Sequence, residues 1–402
     1  MDRDMHGPLQ GIRVVDVTTV MLGPYATQTL GDMGADVIKI EAPPAGDIAR
    51  NLGAARTPGM SGSFLNMNRN KRSVAIDLKQ AGAKEVLRRL AATADVFIHN
   101  MRPQAIERLG FGYEAVAALN PGIVYVGAYG FGQDGPYRAK PALDDAIQAA
   151  SGLASLFVRQ DGQPRYVPSA IADKIVGLTV SQAVLAALLH RSRTQEGQFV
   201  EVPMLETLVA FNLIDHLGAG AYAQPPGKIG YARASSPSRR PFPTQDGFVC
   251  ILPYDDRQCR SFFSAVGRPE VADDARFCSY AARVRHPDAF YGLIRDLTPS
   301  RTTAQWVAIC EAGEIPCMPV VDIEDLPQDE HLQAVGMFEA HQHPTEGATT
   351  LVRSPIRFSR SPASIRRHAP GFGEHSIEVL RGLDYPEDEI AAMLADGSVL
   401  AP

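Results

Sequence analysis

The chain has 402 residues, 45% hydrophobic, 21% charged and 7% aromatic, a length beyond what one core usually fills and a balance that excludes a disordered or collagen-like chain. Its net charge of -6 excludes a general nucleic-acid binder, which needs a clustered basic surface. Apolar stretches such as Ala183–Leu189 fall short of the roughly 20 residues a bilayer crossing needs, and Met1–Gln10 lacks the apolar run of a secretory signal, so no membrane span and a cytoplasmic location are expected.

Ile12–Val17 is a short β-branched run, Tyr25–Met33 reads as a helix behind Pro24, Gly34 ends it, and Asp36–Ile40 returns as a strand. Strands at Val74–Leu78, Ala94–His99 and Ile123–Ala128 alternate with helical stretches at Gly82–Ala92 and Pro103–Leu109. Parallel strands need crossover connections, so this order predicts an α/β fold with a parallel, Rossmann-like sheet covered by helices. A long helix runs from about Asp173 to Arg193, with Ile175, Val176, Leu178, Val180, Val184, Leu185 and Leu188 on its apolar face, and Phe199–Val202 follows as a strand. From Ala221 to Pro243 the composition shifts to Gly, Pro, Ser and Arg, the mark of a linker and loop. Asp246-Gly247 then joins Phe242–Thr244 to Phe248–Leu252 as a hairpin opening a smaller α+β domain, with helices near Cys259–Val266 and Ala304–Ala312. Strands near Thr349–Phe358 and a helix at Ser376–Leu383 close the chain.

The first β-α-β unit invites a dinucleotide reading, but between Val17 and Ala26 there is only Gly23. Without the three-glycine spacing the backbone cannot approach a pyrophosphate closely, which argues against NAD. The five cysteines, Cys250, Cys259, Cys278, Cys310 and Cys317, show no close pair of the zinc or redox kind. Reduced thiols and no metal site are expected.

Several segments together resemble the class III CoA-transferases, the family containing formyl-CoA transferase, carnitine CoA-transferase and α-methylacyl-CoA racemase. They are Leu9–Asp16, Gly23-Pro24, Gly34–Glu41, Asn70-Lys71-Arg72-Ser73, Ala94–Asn100, Arg108-Leu109-Gly110 and Gly373-Glu374-His375. The resemblance implies a large Rossmann-like domain built from both chain ends, residues 1–222 and 331–402, around a linker and small domain at 223–330. It implies a homodimer of interlocked subunits, no tightly bound cofactor, and a coenzyme A thioester and a carboxylic acid as substrates.

In that family a nucleophilic Asp follows small residues at the start of a long helix, and the matching stretch is Pro168-Ser169-Ala170-Ile171-Ala172-Asp173-Lys174-Ile175. Asp173 takes the role by resemblance. From the residues alone it reads as an N-cap, and the readings are compatible, because a helix start favours a carboxylate anion ready to attack. The implied chemistry passes through an acyl-aspartyl anhydride and an aspartyl-CoA thioester, inside a water-excluding pocket lined by N–H donors. The Ser-rich segment Ala232–Ser238 is a candidate cover. Racemase members carry a His immediately before an Asp ahead of the nucleophile; here Leu143 precedes Asp144. Leucine cannot exchange a proton, so transfer is favoured over racemisation, with a non-catalytic CoA-binding protein as the alternative from another class. Asp144 matches an acidic position near the family's active site and equally reads as a helix start.

By the same resemblance the CoA contacts fall on Ile76, Lys79, Asn100, Met101, Arg102 and Arg108, with Lys71 and Arg72 adding charge nearby. Thr19, Met21 and Ala42 depart from the formyl-CoA transferase pattern, which argues against oxalate and formyl-CoA. Arg239-Arg240-Pro241-Phe242, followed by Asp246–Tyr254, resembles a branch acting on dicarboxylic acids. Arg239 or Arg240 would there hold a second carboxylate, since guanidinium matches that group bidentately; the alternative is a charged linker.

Overall fold

The computed structural model describes residues 7–402. Strands β1 (Arg13–Val17), β2 (Asp36–Glu41), β3 (Lys71–Ile76), β4 (Val96–His99), β5 (Val124–Tyr129) and β6 (Gln198–Pro203) run parallel in the order β3-β2-β1-β4-β5-β6. Val399–Leu400 adds an antiparallel edge strand beside β3. The expected mixed α/β fold with a dominant parallel sheet is therefore present, and the nearly all-buried Val- and Ile-rich strands suit a sheet covered on both faces. β3 begins three residues earlier than its apolar run, at Lys71, and ends at Ile76. Lys71 and Ser73 are buried in the strand despite being polar, opposite Val37 and Lys39 of β2.

Helix α1 (Leu22–Asp32) follows β1, the short helix α2 (Asp144–Ala150) follows β5, and α3 (Ile171–Thr194) precedes β6. α3 has 24 residues and is about 36 Å long. It packs across α1 at a point with no room for a side chain: a Cβ on Gly177 would lie 2.8 Å from the Leu22 carbonyl and 3.2 Å from the Tyr25 ring. One turn on, the Ser181 hydroxyl donates to the Ala26 carbonyl at 3.1 Å. By length and composition α3 is also apolar enough to cross a membrane, which corrects the expectation that no segment qualifies. Unbroken apolar runs missed it because small and polar residues interrupt them; here Val176, Val180, Val184 and Leu188 are buried, whereas Leu178 is half-exposed.

The chain forms two compact units: the chain up to Ile147 with Ser169–Leu208 and Glu330–Pro402, and Gln148–Pro168 with Val209–Asp329. The change of unit thus comes at Leu208 rather than at 222, and residues 148–168 belong with the second unit. The C-terminal return is tied to β3 through Ser73. Its hydroxyl accepts the Gly373 N–H at 2.9 Å and its carbonyl accepts the His375 N–H at 2.9 Å. The expected strand at Thr349–Phe358 is instead the second arm of a hairpin, Phe338–His343 with Gly347–Val352. Arg353 ends it by turning its guanidinium onto the Val335 and Gly336 carbonyls.

The second unit has its own antiparallel sheet, Phe242–Pro243, Phe248–Ile251 and Cys317–Pro319, with the expected hairpin closed by the Thr244 N–H on the Gly247 carbonyl at 2.9 Å. Behind it, Phe262, Phe263, Phe290, Ile294 and Trp306 form a buried cluster.

Candidate active site

All six parallel strands end on one edge of the sheet, and the strand order reverses between β1 and β4, one leading outward through β2 and the other through β5. In open α/β sheets, ligands bind beyond the carboxyl ends of the strands at such a switch point. α3 runs back down the sheet to feed β6, so its N-terminus lies on this same edge.

Asp173 is the third residue of α3, and the N-cap is Ala170, which offers no side chain to the helix start. Asp173 therefore does not cap. Its own N–H is one of the donors a helix start leaves without an intrahelical partner, and it donates to Asp144 Oδ2 at 3.0 Å. Asp144 opens α2, so the carboxylate at one helix start serves the other. Leu143, in the place of a racemase's histidine, is 70% exposed. Asp173 is half-buried, and burial, reinforced by the Asp144 charge, pushes its pKa up to about 7. This corrects the expectation that the helix start holds it as an anion: loss of hydration and a like charge outweigh the helix dipole. A half-ionised carboxylate near neutral pH is more basic than an ordinary aspartate and correspondingly more nucleophilic.

The turn between β1 and α1 approaches this position. Leu22, whose carbonyl abuts Gly177, follows the turn directly, and Gly177 is one helical turn beyond Asp173. Val20 in this turn has φ 73°, the left-handed region, which costs a β-branched residue about 1–3 kcal/mol. Side chains hold it there. The Thr18 N–H donates to Asp16 Oδ1 at 2.9 Å, and Lys39 Nζ donates to the Thr18 carbonyl at 2.9 Å. Asn100 accepts the Thr19 N–H at 3.1 Å and donates to the Thr19 carbonyl at 2.8 Å. The Val20 N–H donates to Asp47 Oδ1 at 2.9 Å, and Asp47 Oδ2 lies 2.7 Å from Lys39 Nζ. Asp47 had no signal in the sequence, because its partner Val20 is 27 positions away, and Lys39, although inside the Gly34–Glu41 segment, gave no sign that it reaches Thr18, 21 positions away.

The residues expected to bind CoA divide into two groups. Ile76 ends β3 and Lys79 follows it; Asn100, Met101, Arg102 and Arg108 follow β4. Both groups are on the carboxyl edge, three strand spacings or about 14 Å apart. Lys79, Arg102 and Arg108 are exposed, the two arginines at the N-cap and last turn of the helix Pro103–Leu109. The Ile76 side chain is fully buried in the core, which leaves only its backbone groups for a ligand, and Met101 is partly buried against that core. Lys71 and Arg72 are corrected. Lys71 spends all three ammonium donors inside the protein, on Asp16 at 3.2 Å and on the Pro24 carbonyl and Asn68 at 2.9 Å each. Arg72 is held by Asp36 at 2.7 Å and Glu378 at 3.0 Å. Arg239 and Arg240 are exposed in the second unit, where Arg240 Nε donates to the Pro237 carbonyl at 2.8 Å.

The sequence profile described as CoA-transferase family III matches residues 9–376. The chain is 34% identical to the succinate–glutarate CoA-transferase of Agrobacterium fabrum over 388 residues, covering 94% of this chain and 96% of that protein. It is 29% identical to the human succinyl-CoA:glutarate CoA-transferase, covering 98% and 90%, and 32% identical to a formyl-CoA:oxalate CoA-transferase of Escherichia coli, covering 97% and 99%. Among solved structures, a CAIB/BAIF family protein from Brucella suis superposes with a TM-score of 0.81 at 30% identity, over 94% of this chain and 100% of that one. Rv3272 from Mycobacterium tuberculosis gives 0.81 at 29%, over 93% and 99%. A match this complete means that the protein belongs to CoA-transferase family III and is a CoA-transferase.

Proposed function

We propose that the chain moves coenzyme A from an acyl-CoA to a dicarboxylic acid with Asp173 as the covalent carrier. The observation that carries this reading is the half-buried Asp173 carboxyl, raised to about 7 by burial and Asp144 at the start of α3. An Asp173 oxygen attacks the thioester carbonyl, the C–S bond breaks, and CoA thiolate leaves behind an acyl-aspartyl anhydride. The thiolate then attacks the Asp173 carbonyl carbon, releasing the donor acid and leaving an aspartyl-CoA thioester. An acceptor carboxylate reverses both steps. No water, redox partner or net proton enters, and anhydride and thioester are each reactive enough to pass the acyl energy on.

The names of the relatives support the dicarboxylic acceptor, since they carry succinate, glutarate, malate and oxalate. Recognition of the second carboxylate falls to Arg239 or Arg240. Replacing both with Gln is expected to raise KM for a dicarboxylic acceptor about 10- to 100-fold, the worth of a charge-assisted bidentate contact, while adduct formation from a monocarboxylic acyl-CoA persists. Unchanged dicarboxylate turnover removes the arginines from the site. We further propose a homodimer, which sedimentation would report as twice the chain mass.

Intact-protein mass spectrometry after mixing with succinyl-CoA is the main test. A CoA-sized adduct that is present in the wild type and lost in Asp173→Ala is expected. The same adduct on the alanine variant overturns the assignment.

A further inference from the structure

We propose that Asn100 is a positioning residue for the reaction at Asp173, acting through the Thr18–Val20 turn rather than by contact with CoA; the inference rests on the transfer reading above. Each backbone donor and acceptor from the Thr18 N–H to the Val20 N–H is met by a side chain: Asp16, Lys39, Asn100 twice, and Asp47. Such complete capture is unusual for a turn, whose backbone ordinarily bonds to water. Apart from Asp16 of β1 itself, the captors come from both neighbours of β1. Lys39 is in β2 and Asp47 follows it, while Asn100 follows β4, so the turn is stretched across the switch point and pinned from either side.

Asn100 is the only captor that bonds one residue through both its donor and its acceptor, at 2.8 and 3.1 Å. With one N–H and its carbonyl oxygen both engaged on Thr19, the amide plane is fixed toward the turn. The turn it holds is close to the nucleophile. Gly23 presses on Thr18, where a Cβ would come within 2.2 Å, and the Leu22 carbonyl abuts α3 at Gly177, one turn from Asp173. A turn strained at Val20 holds its place only while its backbone is held. Displacement of a wall by about 1 Å beside a forming bond can cost around 100-fold in rate.

The test uses the full-length enzyme with succinyl-CoA and glutarate, and compares wild type, Asn100→Ala and Asn100→Asp. Asn100→Ala is expected to lower kcat about 10- to 100-fold, leave KM for succinyl-CoA within about twofold, preserve the melting temperature, and speed amide hydrogen exchange in the peptide covering Thr18–Met21. Asn100→Asp keeps the acceptor for the Thr19 N–H and loses the donor, so its kcat and exchange should be intermediate. A raised KM with kcat intact makes Asn100 a ligand contact and overturns the proposal, as does unchanged exchange in the turn. The exchange readout needs no turnover. A wild-type enzyme that transfers nothing therefore defeats the transfer reading, while the exchange result still decides whether Asn100 holds the turn.

Discussion

At Asp173 the helix start favours an anion, whereas burial and the neighbouring Asp144 carboxylate disfavour one, and the second pair prevails. The sign for activity follows: the attacking form is the carboxylate, so adduct formation should rise with pH and reach half its maximum near pH 7. Asp144→Asn keeps an oxygen for the Asp173 N–H but removes the like charge, so the midpoint should move to lower pH. Stopped-flow adduct formation between pH 5 and 9 checks this, and an unmoved midpoint removes Asp144 as a contributor and leaves burial alone. The same scale explains why cations adjacent in sequence have different fates. Lys71 is at the start of a buried strand against Asp16, and burial draws its pKa down to about 8. Lys79, eight positions on, has left the sheet and is exposed.

Between elements, two contacts decide where the site sits. The first is the crossing of α3 on α1 at Gly177. Gly177→Ala places a methyl 2.8 Å from a backbone carbonyl that cannot swing aside, so the helices must part, at a cost of about 1–3 kcal/mol. Urea unfolding should show that loss, and kcat should fall with it because Asp173 rides on the same turn. The second is the buried charge system joining β1, β2 and β3. Burial works to raise Asp16, but Lys71 and Lys39, with hydroxyls from Thr18 and Thr27, outweigh it and bring the carboxyl down to about 2. Lys39→Met leaves Asp47 and Asp16 short of a counter-charge, and about 3–5 kcal/mol of stability should be lost. A smaller effect in the same urea titration would mean that water enters to replace the ammonium.

Across the whole molecule, the second unit holds a core of its own, centred on the sole tryptophan of the chain, Trp306, which is fully buried against Phe262. Phe262→Ala should cost about 3–5 kcal/mol and shift the unfolding midpoint seen by Trp306 fluorescence. An unshifted midpoint would show that the cavity collapses without loss. The first unit is assembled from three stretches of chain. Its C-terminal stretch returns to β3 at Ser73, about 300 positions from its partners Gly373 and His375. That is the physical content of a sequence motif so far from the rest.

The sequence by itself determined the parallel α/β sheet, the succession of its strands along the chain through β6, and the aspartate at the head of α3, whereas the helices Gly62–Met67, Tyr113–Leu119 and Leu153–Asp161 came only with the structure. The first three follow from local periodicity, from the rule that parallel strands need crossovers, and from a family pattern spread along nearly the entire chain. Tertiary structure alone decided which charges are spent inside, as Lys39, Lys71 and Arg72 are, and which remain on the surface, as Lys79, Arg102 and Arg108 do. It also set the Asp173 carboxyl near 7 and bound the Thr18–Val20 turn to Asn100 and Asp47. Burial, like-charge repulsion and hydrogen bonds between residues tens of positions apart exist only once strands from distant parts of the chain lie side by side.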